Sequence, residues 1–358
     1  MADARETNAR RLRRLTEMSR SRAVERAGKA LSGVWTDGFQ PSQVVLRTQL
    51  IQSADGPGPL ARLVLPRGVA MRFYLLALFE ARCRLRVGDA WTGGRPLAGV
   101  GSWSDFIAID GAYDARSTTY MRDTRQGREG AADLRLRQIQ SALKTLEELG
   151  PEQALVTVPR AATGGRRLYG KFSLMKETGR GDLQTPDVYM VPQNHWSART
   201  ITIPADFFLN GWVQLLNPSE VATWLILRTL SQWARDQHAE TGVYLYGKQR
   251  LEDFGLRRDA WEDGCQRLRA FGLIRPARAT PLDSKPAGID FFGLFAQAER
   301  EQYEPYRWQV TDVGLAEDAV KVCTRELTIR QKQLDSAAKE RAGRRGAPSA
   351  PTRLFSAG

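Results

Sequence analysis

Residues 255–274, GLRRDAWEDGCQRLRAFGLI, decide the fold of the half of the chain in which they lie. Trp261, Cys265 and Leu268 recur at the spacing i, i+4, i+7, which places them on one face of a helix. Gly272 adopts without strain the left-handed conformation that ends a helix, and the Leu-Ile pair after it opens a strand. The stretch therefore predicts an amphipathic helix followed directly by a strand.

Two further helices precede this one. Residues 217–220, NPSE, form a helix start, because Asn caps a helix, Pro fits its first turn and Glu reaches back to the cap. The following residues, 221–233, are apolar on most sides and predict a buried helix. A short second helix is expected at 248–254, where Gly255 stops it. This half therefore contains three helices and then a strand.

The first half of the chain repeats this order of elements. Residues 71–86 predict a buried first helix, and residues 102–105, SWSD, the start of a short second one. Residues 138–150, QIQSALKTLEELG, predict the third helix, which a glycine ends. Alternating apolar residues between 156 and 174 flank the turn 163–165 and predict a β-hairpin. The expected fold class is mainly α with small β-hairpins (α+β).

The order of three helices and a hairpin, with the runs 255–274 and 138–150, resembles the winged helix-turn-helix family. Two such units in tandem resemble the replication initiator proteins of plasmids. In the second unit the NPSE start leads into Leu-Arg-Thr-Leu at 227–230, which strengthens that resemblance. The resemblance implies two winged helix-turn-helix domains, at about 60–176 and 200–312, that bind double-stranded DNA.

The segments around these units differ in composition. The first is basic and helix-prone, and the last is rich in small residues and proline, which is typical of a disordered tail. A stretch punctuated by Pro and Gly near the middle predicts a linker. The expected division is a basic helical leader at 1–40, a first winged-helix domain at 41–177, a linker at 178–199, a second winged-helix domain at 200–312, a C-terminal helix at 313–342 and a disordered basic tail at 343–358.

The chain carries a large positive charge. Lys and Arg number 53 against 40 Asp and Glu, which gives a formal net charge of +13 over 358 residues. A surplus of this size favours polyanionic partners, and DNA is the commonest of these in a cytoplasm. Anionic membrane surfaces and acidic proteins are the alternatives on charge alone. Codon usage explains a preference for Arg better than it explains the surplus, and we expect double-stranded DNA as the partner.

In the family that the chain resembles, the third helix enters the major groove with the side chains that point away from the core. Arg pairs with guanine and Gln with adenine, so the outward side of 138–150 suits base readout. The plain alternative is the solvated polar face that most surface helices have. The expected DNA-binding residues of the first copy are Arg135, Arg137, Gln138, Gln140, Ser141 and Lys144 on the helix, with Arg160, Arg166, Arg167 and Lys171 on the hairpin for phosphates or a minor groove.

The second copy offers weaker candidates. It places Glu262 and Asp263 where the family offers Ser, Arg or Asn, and carboxylates there repel phosphates. The first copy departs from the family as well, because the polar insertion 110–133 stands where a tight turn is usual. We nevertheless expect the first copy to recognise the DNA sequence better than the second copy does. The candidate DNA-binding residues of the second copy are Arg257, Arg258, Arg275 and Arg278.

Catalytic residues and cofactors are not expected. The three Cys are far apart and only two His occur, which predicts buried thiols in a reducing compartment rather than a zinc site or a disulfide framework. Residues 242–248, GVYLYGK, have the spacing of a phosphate loop, but Gln249 replaces the Ser or Thr that holds Mg²⁺. We therefore expect a non-enzymatic protein without metal or cofactor. The sequence has no signal peptide or membrane span, so it is expected in the cytoplasm, associated with the nucleoid or a plasmid.

The expected function is that of a replication initiator of a plasmid or other mobile element, which binds origin repeats and recruits host replication proteins. A transcription regulator of the same fold is the first alternative, and a protein–protein adaptor that does not read DNA is the second. In the C-terminal helix, Val320, Cys323, Leu327 and Leu334 share a stripe. This stripe either packs back on the second domain or forms a homodimer contact.

Overall fold

Helices form most of the structure, and its strands are short and antiparallel. The computed structural model describes residues 4–65, 69–108, 112–114, 119–121, 131–193, 199–277 and 307–346. At this level the expected class, mainly α with small β-hairpins, is confirmed.

The first half runs from two leader helices to a hairpin. Its helices are α1 (Ala4–Arg20), α2 (Ala23–Asp37), α3 (Leu60–Val64), α4 (Ala70–Arg84) and α5 (Ala131–Glu147). Its strands are β1 (Gln43–Arg47), β2 (Gln52–Ser53), β3 (Gly56–Pro57), β4 (Ala112–Asp114), β5 (Thr119–Met121), β6 (Val156–Thr157) and β7 (Ser173–Leu174). Short 3-10 turns cover Thr48–Leu50, Trp103–Phe106 and Tyr169–Lys171.

The second half begins with a strand and ends with a long helix. Its strands are β8 (Thr200–Pro204), β9 (Ile274–Pro276) and β10 (Trp308–Val310). Its helices are α6 (Asp206–Leu209), α7 (Trp212–Leu215), α8 (Pro218–Trp233), α9 (Arg235–Glu240), α10 (Gly247–Phe254), α11 (Arg258–Ala270) and α12 (Ala319–Gly346). A 3-10 turn covers Val313–Ala316.

In the first half, α4 and α5 lie close to where the sequence predicts them, but the second helix does not form. Ser102 and Asp105 make a capping box as expected, yet only a 3-10 turn follows. The turn ends because Ile107 takes an extended conformation, with φ −112° and ψ 117°. The expectation of a short second helix at this place is therefore wrong, because the chain leaves the helical conformation one turn after the capping box.

In the second half, the expected order of helices and strands is confirmed. Asn217 and Glu220 form the capping box of α8, and Gly255 ends α10 in the left-handed conformation at φ 61°. β9 pairs antiparallel with β10, and Val243 forms a bridge with Trp308 of β10. Of the segment 242–248, which has the spacing of a phosphate loop, residues 242–246 therefore form a short stretch with one bridge at Val243, and residues 247 and 248 already belong to α10.

Strand β1 of the first half pairs along its whole length with β8 of the second. Gln43 lies opposite Pro204 and Arg47 opposite Thr200. Inward side chains of both strands are fully buried, among them Leu46 and Ile201. Because backbone hydrogen bonds and apolar side chains of both halves meet here, one hydrophobic core runs through both halves.

Part of the segment expected as a linker, 178–199, is built into the first half. The Tyr189 N–H donates to the Leu174 carbonyl, and the Trp91 N–H donates to the Tyr189 carbonyl. Met190 forms an antiparallel bridge with Ala90. Tyr189 is fully buried. The stretch around Tyr189 is thus hydrogen-bonded to the hairpin and to the Ala90 segment and is not a free connection.

The leader and the C-terminal helix pack against each other. Arg5 of α1 pairs with Asp335 of α12, and the Asn8 amide donates to the Leu327 carbonyl, so the two helices run antiparallel. Cys323 and Leu327, two members of the expected stripe, are buried inside the chain. Packing back, one of the two expected uses of the stripe, therefore accounts for these two residues. The helix starts later than the expected 313, after a 3-10 turn, and extends into the segment expected as a tail.

Within the described ranges, no helix combines the length and the apolar character needed to cross a membrane.

Candidate nucleic-acid interface

Helix α5 separates an apolar face from a polar one. Ile139, Leu143 and Leu146 are fully buried. Their 3.6-residue spacing turns the intervening positions outward, so Arg137, Ser141 and Lys144 are exposed, while Arg135, Gln138 and Gln140 are partly exposed. The inward assignments are thus found in the structure, and so are the outward ones except that of Arg135, whose Nε is buried.

The hairpin beside this helix carries further basic residues. Residues 160 and 167 form a bridge beyond the β6–β7 pairing, and the Ala161 N–H donates to the Arg166 carbonyl across the tip. The tip turns through Gly164 and Gly165 at φ 77° and 62°, a conformation that glycine adopts without strain. Arg160, Arg166 and Lys171 are exposed along this hairpin.

A single carboxylate fixes the hairpin to the helix. Glu147, at the end of α5, accepts a hydrogen bond of 3.0 Å from the Val158 N–H and one of 2.8 Å from Arg167 Nε. Arg167 also pairs with Glu148 at 3.0 Å. The hydrogen bond to Glu147 raises the pKa of Arg167. Helix and hairpin are therefore one rigid unit, and Arg167 is engaged in holding it together.

The outer surface of this unit is cationic. Arg167 engages both carboxylates at the end of α5, Glu147 and Glu148, and offsets one of their two negative charges. An exposed cationic surface of this kind attracts phosphate groups. We call the following five exposed residues the α5–hairpin surface: Arg137, Lys144, Arg160, Arg166 and Lys171.

The corresponding surface of the second half is close to neutral. The exposed positions at the start of α11 and along it carry three arginines and three carboxylates, namely Arg257, Arg258, Asp259, Glu262, Asp263 and Arg269. Arg258 pairs with Glu262 at 2.7 Å, within one turn of the helix. Such a surface attracts phosphate weakly, because its carboxylates offset its arginines.

Other candidates of the second half have protein partners or lie outside the described residues. Arg275 Nε donates to Gln309 Oε1 at 3.0 Å across the β9–β10 pair. On α11, Gln266 accepts a hydrogen bond from Arg330 of α12. Burial and the neighbouring Arg11 lower the pKa of Arg267 to about 10, so it stays charged at neutral pH. Arg278 lies outside the described residues.

The sequence analysis did not single out Arg84 and Arg95, two arginines that surround a buried carboxylate. Glu80 is buried in α4 and accepts hydrogen bonds from Arg84 and Arg95, although it lies on a helix predicted to be core. Arg95 also stacks on Phe106, with 4.7 Å between the guanidinium carbon and the ring centroid. In the sequence, the i, i+4 spacing of Glu80 and Arg84 indicates their ion pair. The contact with Arg95 depends on the tertiary fold.

Comparison of the chain with protein-family models, with curated proteins and with solved structures gave no match.

Proposed function

We propose that the protein binds double-stranded DNA in a sequence-specific manner, with α5 in the major groove and the hairpin on the adjacent backbone. The observation that carries the proposal is the α5–hairpin surface: five exposed cations on a helix and a hairpin that Glu147 holds in one rigid unit. A fixed helix with outward Arg and Gln side chains has the chemistry for base readout, and a cationic hairpin beside it has the chemistry for phosphate contacts.

The order of elements supports a winged helix-turn-helix interpretation of each half. In the second half, α8, the Val243 bridge, α10, α11 and the β9–β10 pair follow one another in the order expected of that family. In the first half, α4, the Ala90 bridge, the 3-10 turn, α5 and the β6–β7 pair follow in the same order. The interpretation places α5 and α11 as the third helices, which in this fold are the ones that contact DNA.

The salt dependence of DNA binding tests the electrostatic part of the proposal. Each phosphate neutralised lowers the slope of log K against log salt by about 0.9, so phosphate contacts from Lys144, Arg160, Arg166 and Lys171 give a slope of about −3.6. We expect the double change Arg166→Ala/Lys171→Ala to flatten this slope by about 2. Lys332→Ala, which removes an exposed charge from α12, is the matched control and leaves the slope unchanged. A slope near zero for the unmodified protein overturns the proposal.

Base readout is tested separately with sites selected from a random duplex pool. The double change Arg137→Ala/Gln140→Ala is expected to weaken the selected site by about 1–3 kcal/mol per lost base contact and to affect random duplex much less. If the selected and the random duplex lose the same affinity, α5 is not the reading helix.

We further propose that this binding serves the replication of a plasmid or other mobile element. The support is the tandem arrangement, in which a cationic first unit is followed by a near-neutral second one suited to contacts with host replication proteins or with another copy. Footprinting on the DNA that flanks the gene tests this. Protection of directly repeated sites that sustain replication supports it, and protection confined to promoters favours the transcription regulator instead.

A further inference from the structure

A cleft lies between the leader and the rest of the first half. It has a volume of about 830 Å³ and lies between α2, the end of α4, the 3-10 turn at 103–106 and the start of α5. Helix α2 contributes one stripe to it, which includes Arg26, Ala30, Gly33 and Asp37. These positions recur at helical spacing, so one face of α2 forms one wall of the cleft.

The wall of the cleft is predominantly cationic. Five of its residues are basic and two are acidic: Arg26, Lys29, Arg84, Arg95 and Arg135 against Asp37 and Asp105. Asp105 is already engaged, since its carboxylate accepts hydrogen bonds from the backbone N–H groups of Gly101 and Ser102. Glu80 beneath the cleft offsets part of the charge of Arg84 and Arg95. A positive surplus remains after both are counted.

In two guanidinium groups of this wall, one nitrogen lacks an acceptor. The Nε nitrogens of Arg95 and Arg135 are buried and have no hydrogen-bond partner within the described part of the chain. A buried charged donor without an acceptor is unfavourable, and an anion in the cleft would supply one. Arg135 was expected on the DNA-binding surface, but in the structure it lines the cleft.

The rest of the wall is apolar and chemically inert. Ala30, Val34, Phe39 and Val100 give the cleft an apolar surface. Burial raises the pKa of the Cys83 thiol to about 12, so this group stays protonated and does not act as a nucleophile. The cleft therefore has the properties of a binding site in which apolar area and a few polar groups act together.

We propose that this cleft is a binding site for an amphiphilic organic anion, a small molecule that joins an apolar ring or chain to a carboxylate, sulfonate or phosphate. The apolar part packs against the wall that α2 forms, and the acidic group is bound by Arg135. The site is separate from the α5–hairpin surface and does not depend on the proposed DNA binding.

Two fluorescent probes that differ in a single group test the proposal on the full chain. 8-Anilinonaphthalene-1-sulfonate carries the acidic group, and N-phenyl-1-naphthylamine has the same aromatic rings without it. We expect the sulfonate to bind in a saturable manner, with a dissociation constant at least about tenfold lower than that of the neutral probe. Equal affinity for the two probes overturns the assignment of an anion site.

Gly33 offers a way to fill the cleft without disturbing the fold. A Cβ added at this helical position meets no atom within 4 Å. Gly33→Trp is expected to weaken binding of the sulfonate probe by about tenfold or more, and Gly33→Ala, which leaves the cleft open, to stay within about twofold of the unmodified protein. Unchanged binding in Gly33→Trp places the probe elsewhere and overturns the proposal.

Arg135→Gln tests the acceptor role directly. It is expected to weaken the sulfonate by roughly threefold to tenfold while the neutral probe is unaffected. Circular dichroism of each variant shows whether the fold is kept. Gly33→Trp is also expected to keep its affinity for DNA, so failure of the cleft proposal and failure of the DNA proposal give different results.

Discussion

At the scale of single residues, Glu147 has the most specific role in the candidate interface. Its carboxylate joins α5 to the hairpin through Val158 and Arg167. The sequence predicted both elements and their exposed residues, but it gave no sign of this contact, because Arg167 lies 20 residues away from Glu147. Arg167 was expected to contact DNA, and its ion pairs now give it a structural role. We therefore leave it out of the phosphate contacts that the proposal uses.

We predict that Glu147→Ala lowers the free energy of unfolding by about 1.5–3 kcal/mol, since hydrogen bonds to a charged group are lost and the Val158 N–H is left without its acceptor. Urea denaturation followed by circular dichroism measures the change. Glu148→Ala is the matched control, because Glu148 is about half exposed and has one ion pair. We expect it to cost less than about 1 kcal/mol. Equal effects of both changes would contradict the assigned role.

At the scale of the elements, the longer helices are found where periodicity and capping residues predict them, whereas most strands, among them β1 and β8, were not predicted. Asn217 and Glu220 start α8, and Gly255 ends α10, because these interactions are local and can be recognised from adjacent residues. The way in which elements attach to one another is less predictable. The leader was predicted as a basic helical segment, but its attachment to α8 depends on a contact across 209 residues.

That attachment is a buried ion pair between Arg11 and Glu220. Arg11 Nη2 donates to Glu220 Oε2 at 2.8 Å, and its guanidinium lies over Phe271. Only 3% of the Glu220 side chain is exposed. We predict that Arg11→Ala lowers the free energy of unfolding by about 3–5 kcal/mol, because the buried carboxylate loses its partner. Thermal and urea denaturation measure the change.

Arg13→Ala provides the control for this prediction. Arg13 pairs with Glu6 on the same helix, but 68% of its side chain is exposed. Its removal is expected to change stability by less than about 1 kcal/mol. A small effect of Arg11→Ala, similar to that of Arg13→Ala, would show that the leader is not held by this pair.

Strand β10 gives the structure a dependence on pH. His238 Nε2 accepts a hydrogen bond of 2.9 Å from the Val310 N–H, which requires the neutral ring. Burial lowers the pKa of His238, and the charges of Arg275 and Arg228 lower it further against a smaller opposing effect of Asp312. The unfolded chain therefore binds this proton more readily than the folded chain does.

We predict that stability falls as the pH drops below about 6.5, the value in an unfolded chain, and levels off below the lowered pKa of the folded state. The urea midpoint at about pH 5.5 should thus be lower than at about pH 7.5. His238→Gln keeps an acceptor but has no titrating ring, so its midpoint should vary less over this range. The same dependence in both proteins would rule out His238 as the cause.

At the scale of the whole molecule, the two halves share one sheet and one core. Phe79 of α4 stacks on Phe208 of α6 with their ring centroids 4.6 Å apart, and both side chains are fully buried. The sequence suggested two domains and a linker, since each half repeats an order of elements. The repeated order of elements begins with α4 in one half and α8 in the other, so it gave no information about β1 and β8, which join the halves.

We predict that Phe208→Ala lowers the free energy of unfolding by about 3–5 kcal/mol, because it leaves a cavity where the two halves meet. Hydrogen exchange followed by mass spectrometry should show α4 and α8 losing protection by the same amount. Phe39→Ala, at a half-exposed position, is the control and should have little effect. Loss of protection confined to one half would mean that the halves unfold independently.

The sequence by itself determined where the longer helices form, which faces of α5 and α11 are buried, and that the chain carries a surplus of positive charge. These properties depend on neighbouring residues and on composition, so they can be inferred from local patterns. The tertiary structure alone decided that β1 pairs with β8, that Glu147 holds the hairpin and that Arg135 lines a cleft. These contacts join residues far apart in the chain, and they depend on the packing of the whole core, which local patterns do not specify.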